Sequence, residues 1–125
     1  KIKLKYLEVW NARRKEIAKM YFKGIKNTKI TLQVQPDFTD SVFHLFVVTT
    51  ENREAFITYL QEHSINAGLH YPVPCHLQNA YKNLGYKVGD FPNAEYLASH
   101  CVSLPMYAEL SDVEVQLVID VVNQY

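Results

Sequence analysis

The stretch from His70 to Tyr81, HYPVPCHLQNAY, gathers two imidazoles, two phenols, a thiol and two side-chain amides into one short segment. Imidazole and phenol groups donate and accept hydrogen bonds and present flat faces, which suits the hydroxyls and diphosphate oxygens of a ligand. Pro72 and Pro74 stiffen the backbone between them, because each ring fixes its own φ and pushes the preceding residue toward an extended conformation. A rigid, polar loop leaving a strand end is a place from which such groups can be held toward a bound molecule. The same composition also describes a proline-stiffened surface loop with scattered polar side chains, and the spacing does not separate the two.

Other chemistries fit the spacing less well. His70, Cys75, His76, His100 and Cys101 are zinc-type ligands, but their spacing matches no zinc template, and neighbours such as Cys75 and His76 rarely both reach one tetrahedral ion. No metal site is therefore expected. A nucleophilic Cys75 would need an orienting third group and a feature that stabilises the thiolate, and neither is visible. Lys82 and Lys87 flank Gly85 in a polar loop and read as solvated, whereas an active lysine needs burial or nearby cations. Arg13-Arg14-Lys15 reads as a solvated helix face, or as a triplet that pairs with Glu8 and Glu16.

The elements that must position these groups follow from periodicity. Leu4, Leu7, Trp10, Ile17 and Tyr21 recur at helical steps, which predicts a long helix from Lys3 to about Phe22 that stops at Gly24. Residues 26–42 are polar and mixed, with a turn at Pro36-Asp37. Phe43–Thr49 reads as a buried strand, and Thr50, Glu51 and Asn52 offer helix-start chemistry for a helix over Arg53–His63. Ile65–Tyr71 reads as a second strand ended by the two prolines. Leu77–Leu84 suits a short helix. A loop around Gly85, Gly89 and Asp90 then leads to a helix that Pro92 opens and Asp90 caps. Cys101–Leu104 reads as a third strand. Ser111 and Glu114 have capping-box spacing for a terminal helix with Val115, Val118, Ile119 and Val122 on its apolar face. The expected fold class is α+β: a small, mostly antiparallel sheet of about three strands with helices packed on it, preceded by a long helix.

The bulk composition narrows the function classes. The chain has 125 residues and is 48% hydrophobic, the size and composition of one folded domain. Its 13 lysines and arginines balance 13 aspartates and glutamates, so no electrostatic drive toward nucleic acid or an anionic membrane exists, and neither partner is expected. Two cysteines outside any CxxC motif suggest a reduced, cytoplasmic setting. No apolar run approaches the ~20 residues of a membrane helix. The opening KIKLKYLEVW is too charged for a signal peptide and begins without methionine, so the chain reads as a segment of something longer.

The run GLHYPVPCHLQNAYKNLGYKVGDFPNAEYLASHCVSLPMYAELSDVEV closely resembles the C-terminal segment of the DegT/DnrJ/StrS family of sugar aminotransferases. The opening LKYLEVWNARRKEIAKMY is similar to the family's long linking helix, so the likeness covers nearly the whole chain and is weakest over residues 24–42. Several motifs in the right order make a stronger signal than one short pattern. The resemblance implies a linking helix over residues 1–24 and a C-terminal small domain over residues 25–125. The large domain that holds pyridoxal phosphate is not in this chain, and no catalytic, cofactor-binding or metal-binding residue is expected within it. In the full-length parent, a homodimer in the family, the resemblance implies amino transfer from a donor, usually glutamate, to a keto sugar carried on a nucleotide. It places His70 and Tyr71 at the family's His-Tyr position and His76 at the second histidine of the loop, all three as substrate-binding residues. A sugar dehydratase using the amine form of the cofactor would look nearly the same over this segment. A stand-alone α+β module that binds a small ligand is the alternative outside the superfamily.

Overall fold

The computed structural model describes residues Lys1–Tyr125. A short 3₁₀ turn, Lys3–Tyr6, leads into helix α1, Leu7–Gly24. The anticipated apolar stripe divides in two along this helix. Ile17, Ala18 and Tyr21 enter the core, while Leu4, Leu7 and Val9 near its start remain exposed. Gly24 ends α1 where it crosses helix α4, Asp112–Gln124; a Cβ there would lie 2.7 Å from Cδ1 of Ile119, so glycine permits the close approach.

Three antiparallel strands form one sheet in the order β1 (Thr31–Leu32), β2 (Phe46–Thr49), β3 (Cys101–Leu104). β2 and β3 pair over their whole length, with Phe46 opposite Leu104 and Thr49 opposite Cys101. Strand alternation sends Phe46, Val48, Val102 and Leu104 to one face, where they are buried. Helices α1, α4 and α2 (Arg53–Glu62) contribute Tyr21, Val115, Val122, Phe56 and Leu60 to the same single cluster of 19 buried apolar residues. Tyr21 and Phe22 pack on Phe46 with ring centroids 4.9 and 5.0 Å away. Burial of one such ring contributes about 1.5–3 kcal/mol, and the Tyr21 hydroxyl keeps its hydrogen bond by donating to the Pro105 carbonyl at 2.8 Å.

Three sequence expectations are corrected. Ile65–Tyr71 is not a strand; it touches the sheet through one bridge, Gly68 opposite Ser103. Tyr71 has φ +53°, outside the extended region, and Pro72 has no N–H to give to a ladder. The third strand is instead Thr31–Leu32, inside the segment expected to be loop, paired with Thr49 and Val48. At the helix starts, Asn52 caps α2 by accepting from the Ala55 amide at 3.2 Å, and Ser111 and Glu114 form the anticipated capping box on α4. Helix α3, Pro92–His100, has proline at its first position, but Asp90 does not cap it; Asp90 accepts from the Lys87 amide at 2.8 Å and closes a turn.

Candidate functional site

The second face of the sheet is only partly covered. Val47 of β2 and Cys101 and Ser103 of β3 point to it, α3 lies along one side, and the Pro72–Pro74 loop arches over the other. Between them lies a recess of about 390 Å³, lined by Leu45, Val47, His70, Tyr71, Val73, Pro74, Cys75, Ala94, Leu97, Ala98, Cys101 and Ser103. A wider, flatter hollow of about 650 Å³ lies on the other side of the loop and shares Tyr71 and Val73 with the recess. The first is mostly apolar with a few polar groups in its lining, the usual make-up of a small-molecule site.

His70 and Tyr71 stand at that mouth. His70 is exposed, and its Nδ1 lies 2.9 Å from Oγ of Ser103. Its ring lies over Gly68, where a Cβ would come within 2.7 Å of its Cε1. Tyr71 is 80% exposed and its hydroxyl meets no partner in the chain. A left-handed φ costs a tyrosine about 1–2 kcal/mol, so the backbone here is strained while the side chain packs against little. Strain of this kind gathers at functional sites.

His76 is placed differently. Its side chain is 7% exposed, and its Nε2 lies 3.0 Å from Oε1 of Glu95 on α3. The same carboxylate accepts from the Gly89 amide at 2.9 Å and the Phe91 amide at 3.3 Å. Burial alone would raise the pKa of Glu95, but the Gly89 and Phe91 amides and then His76 outweigh it and hold the group below the ordinary glutamate value. The His76 ring also packs on Phe91 at 4.8 Å. His76 is thus a clasp between the loop and α3, while His70 and Tyr71 face outward.

The remaining candidates do not converge on chemistry. No three histidine, cysteine, aspartate or glutamate side chains come together as a metal-ligand set. Cys75 and Cys101 are free thiols, and burial pushes the Cys101 thiol upward against the opposing charge of Arg53, away from a reactive thiolate. Arg13 pairs with Asp112 at 2.6 Å and Glu16 at 3.3 Å. No lysine is buried and none lines the recess. No helix is long and apolar enough to cross a membrane.

Sequence reasoning missed Gly68, Glu95 and Ser103. The Gly68–Ser103 bridge and the Glu95–His76 contact join residues far apart in the chain, and no local pattern announces them.

The sequence profile of the DegT/DnrJ/EryC1/StrS aminotransferase family matches residues 1–123. The chain belongs to that family. It is 44% identical over 124 residues to the dTDP-3-amino-3,6-dideoxy-alpha-D-galactopyranose transaminase of Aneurinibacillus thermoaerophilus, covering 99% of this chain and 34% of the relative. It is 37% identical over 126 residues to the dTDP-3-amino-3,4,6-trideoxy-alpha-D-glucose transaminase of Streptomyces venezuelae, covering 100% of this chain and 33% of the relative. Among solved structures, S. venezuelae DesV in complex with a ketimine intermediate superposes with a TM-score of 0.93 at 38% identity, over 98% of this chain and 33% of that one. This DegT-family chain therefore spans about a third of the length of the relatives it matches.

Proposed function

We propose that this chain is the substrate-side domain of a pyridoxal-phosphate-dependent aminotransferase that moves an amino group, from glutamate, to a keto sugar linked to a nucleotide. The observation that carries the reading is the family match over residues 1–123, together with two relatives that are both transaminases of dTDP-linked sugars. In this reading residues 1–24 link a large cofactor domain to the small domain of residues 25–125. The cofactor supplies the carbanion chemistry when bound to the large domain. The residues of this chain bind and orient the sugar nucleotide. His70 offers a ring nitrogen to its oxygens, Tyr71 offers a phenol and an aromatic face, and His76 supports the loop by fixing it to α3.

The exposed Leu4, Leu7 and Val9 supply an apolar surface for the large domain or for a second subunit, in keeping with a homodimer. The enzyme works in the cytoplasm on a soluble sugar nucleotide. By itself the chain has no transaminase activity.

The test is an assay of the full-length protein, loaded with pyridoxal phosphate, on glutamate and a dTDP-linked keto sugar. Release of 2-oxoglutarate with formation of the amino sugar supports the reading. A loaded protein that deaminates glutamate but aminates no nucleotide-linked keto sugar overturns it. Residues 1–125 alone, treated with pyridoxal phosphate and borohydride, are expected to show no specifically labelled lysine; one labelled lysine would place the cofactor in this chain.

A further inference from the structure

We propose that Ser103 is a positioning residue for His70: its hydroxyl donates to Nδ1, so the neutral ring carries its proton on Nε2 and presents an N–H donor at the mouth of the recess. The importance of this for substrate recognition rests on the role given to His70 above; the tautomer itself does not.

Ser103 is 4% exposed. Its amide donates to the Gly68 carbonyl at 2.9 Å and its carbonyl accepts from the Gly68 amide at 2.8 Å, so the facing backbone of Gly68 is already engaged by the Ser103 backbone rather than by its side chain. Within the chain the only partner of the Ser103 hydroxyl is Nδ1 of His70, 2.9 Å away. A serine hydroxyl carries one donor proton and two acceptor lone pairs. Idle lone pairs are tolerated in protein interiors, but a buried donor proton without an acceptor is rare and costly. The hydroxyl proton therefore goes to Nδ1. A neutral imidazole that accepts at one nitrogen is protonated at the other.

Two further features fix the ring in that pose. Glycine at position 68 leaves the space it occupies, since a Cβ would lie 2.7 Å from Cε1 and 3.1 Å from Nδ1. Pairing of β3 with β2 on its other side, Val47 opposite Ser103, holds the serine in register. Nε2 makes no hydrogen bond within the chain and belongs to an exposed side chain. The recess mouth thus offers a fixed N–H to an oxygen acceptor, a sugar carbonyl or hydroxyl or a phosphate oxygen, and does not welcome a second donor.

The test begins with nitrogen NMR of the full polypeptide labelled with 15N-histidine, at a pH where His70 is neutral. The expected spectrum shows Nδ1 of His70 unprotonated and Nε2 protonated. The reverse tautomer overturns the proposal. Ser103→Ala should lose the preference and Ser103→Thr, which keeps a hydroxyl, should restore it; if the threonine does not fit the strand, the wild-type and alanine spectra decide. In the full-length enzyme, Ser103→Ala should lower kcat/KM for the keto sugar about tenfold, mostly through KM, with Ser103→Thr returning most of it. An alanine variant that keeps both the Nε2–H tautomer and the sugar KM removes Ser103 from the account. If the wild type aminates no sugar, the function fails while the tautomer result stands.

Discussion

Nε2 of His76 and Oε1 of Glu95 lie 3.0 Å apart, and through that contact one carboxylate joins the Cys75–Leu77 turn to α3. Because Glu95 also accepts the Gly89 and Phe91 amides, it ties down both ends of the intervening loop. Glu95→Ala should leave these amides without their acceptor and loosen residues 76–91, while the buried core is untouched. Amide hydrogen exchange of Gly89 and Phe91 should rise roughly tenfold or more, with the sheet amides unchanged. Unaltered exchange would mean that the loop holds itself without the clasp.

The same contact predicts an acid response. The folded-state pKa of Glu95 lies below its unfolded value, so the stabilisation is complete above about pH 4.3 and is lost as pH falls through the folded pKa. The amide proton shifts of Gly89 and Phe91 should move together below pH ~4.3, and Glu95→Gln should abolish that titration. Movement centred above the ordinary glutamate value would reverse the sign of the effect.

Gly68 should resist even alanine. The new methyl would meet the His70 ring at 2.7 Å, push it from Ser103 and cost about 1 kcal/mol in stability, the low end for overpacking because the ring ends an exposed side chain. Thermal unfolding of Gly68→Ala against wild type measures this. A Tm within a degree of wild type would show that the ring swings away freely.

The cap on α4 is a separable contribution. Ser111 accepts from the Glu114 amide, and the Glu114 carboxylate accepts from the Ser111 amide at 2.8 Å. Ser111→Ala should cost about 1 kcal/mol, which for a domain of this size lowers Tm by about 5 °C. Calorimetry checks it, and a loss below a degree would mean that the packing of Val115 and Val122 alone sets the helix start.

The sequence was most legible where one short pattern carries the physics. Ser111-Asp112-Val113-Glu114 announces α4, and Pro92 announces α3, because capping and first-turn proline are local effects. It was least legible where pairing is tertiary. Thr31–Leu32 is too short to show alternation and becomes a strand only because Thr49 and Val48 lie beside it. Ile65–Tyr71 has the composition of a strand, yet the left-handed Tyr71 and Pro72 limit it to one bridge. Within the candidate site, the HYPVPCH run was visible as a loop rich in hydrogen-bonding groups. The division of labour inside it was not. His76 and His70 are alike in sequence, and only Glu95 and Ser103, brought in from α3 and β3, turn one inward and hold the other at the recess.

The most direct measurement separates the two half-reactions of the full-length enzyme in a His70→Ala variant: amino transfer from glutamate, followed by amino transfer to the keto nucleotide sugar. The account predicts that the sugar half-reaction loses about tenfold or more in kcat/KM while the glutamate half-reaction stays within about threefold of wild type. Equal losses in both, or no loss in either, would contradict a substrate-side role for this domain.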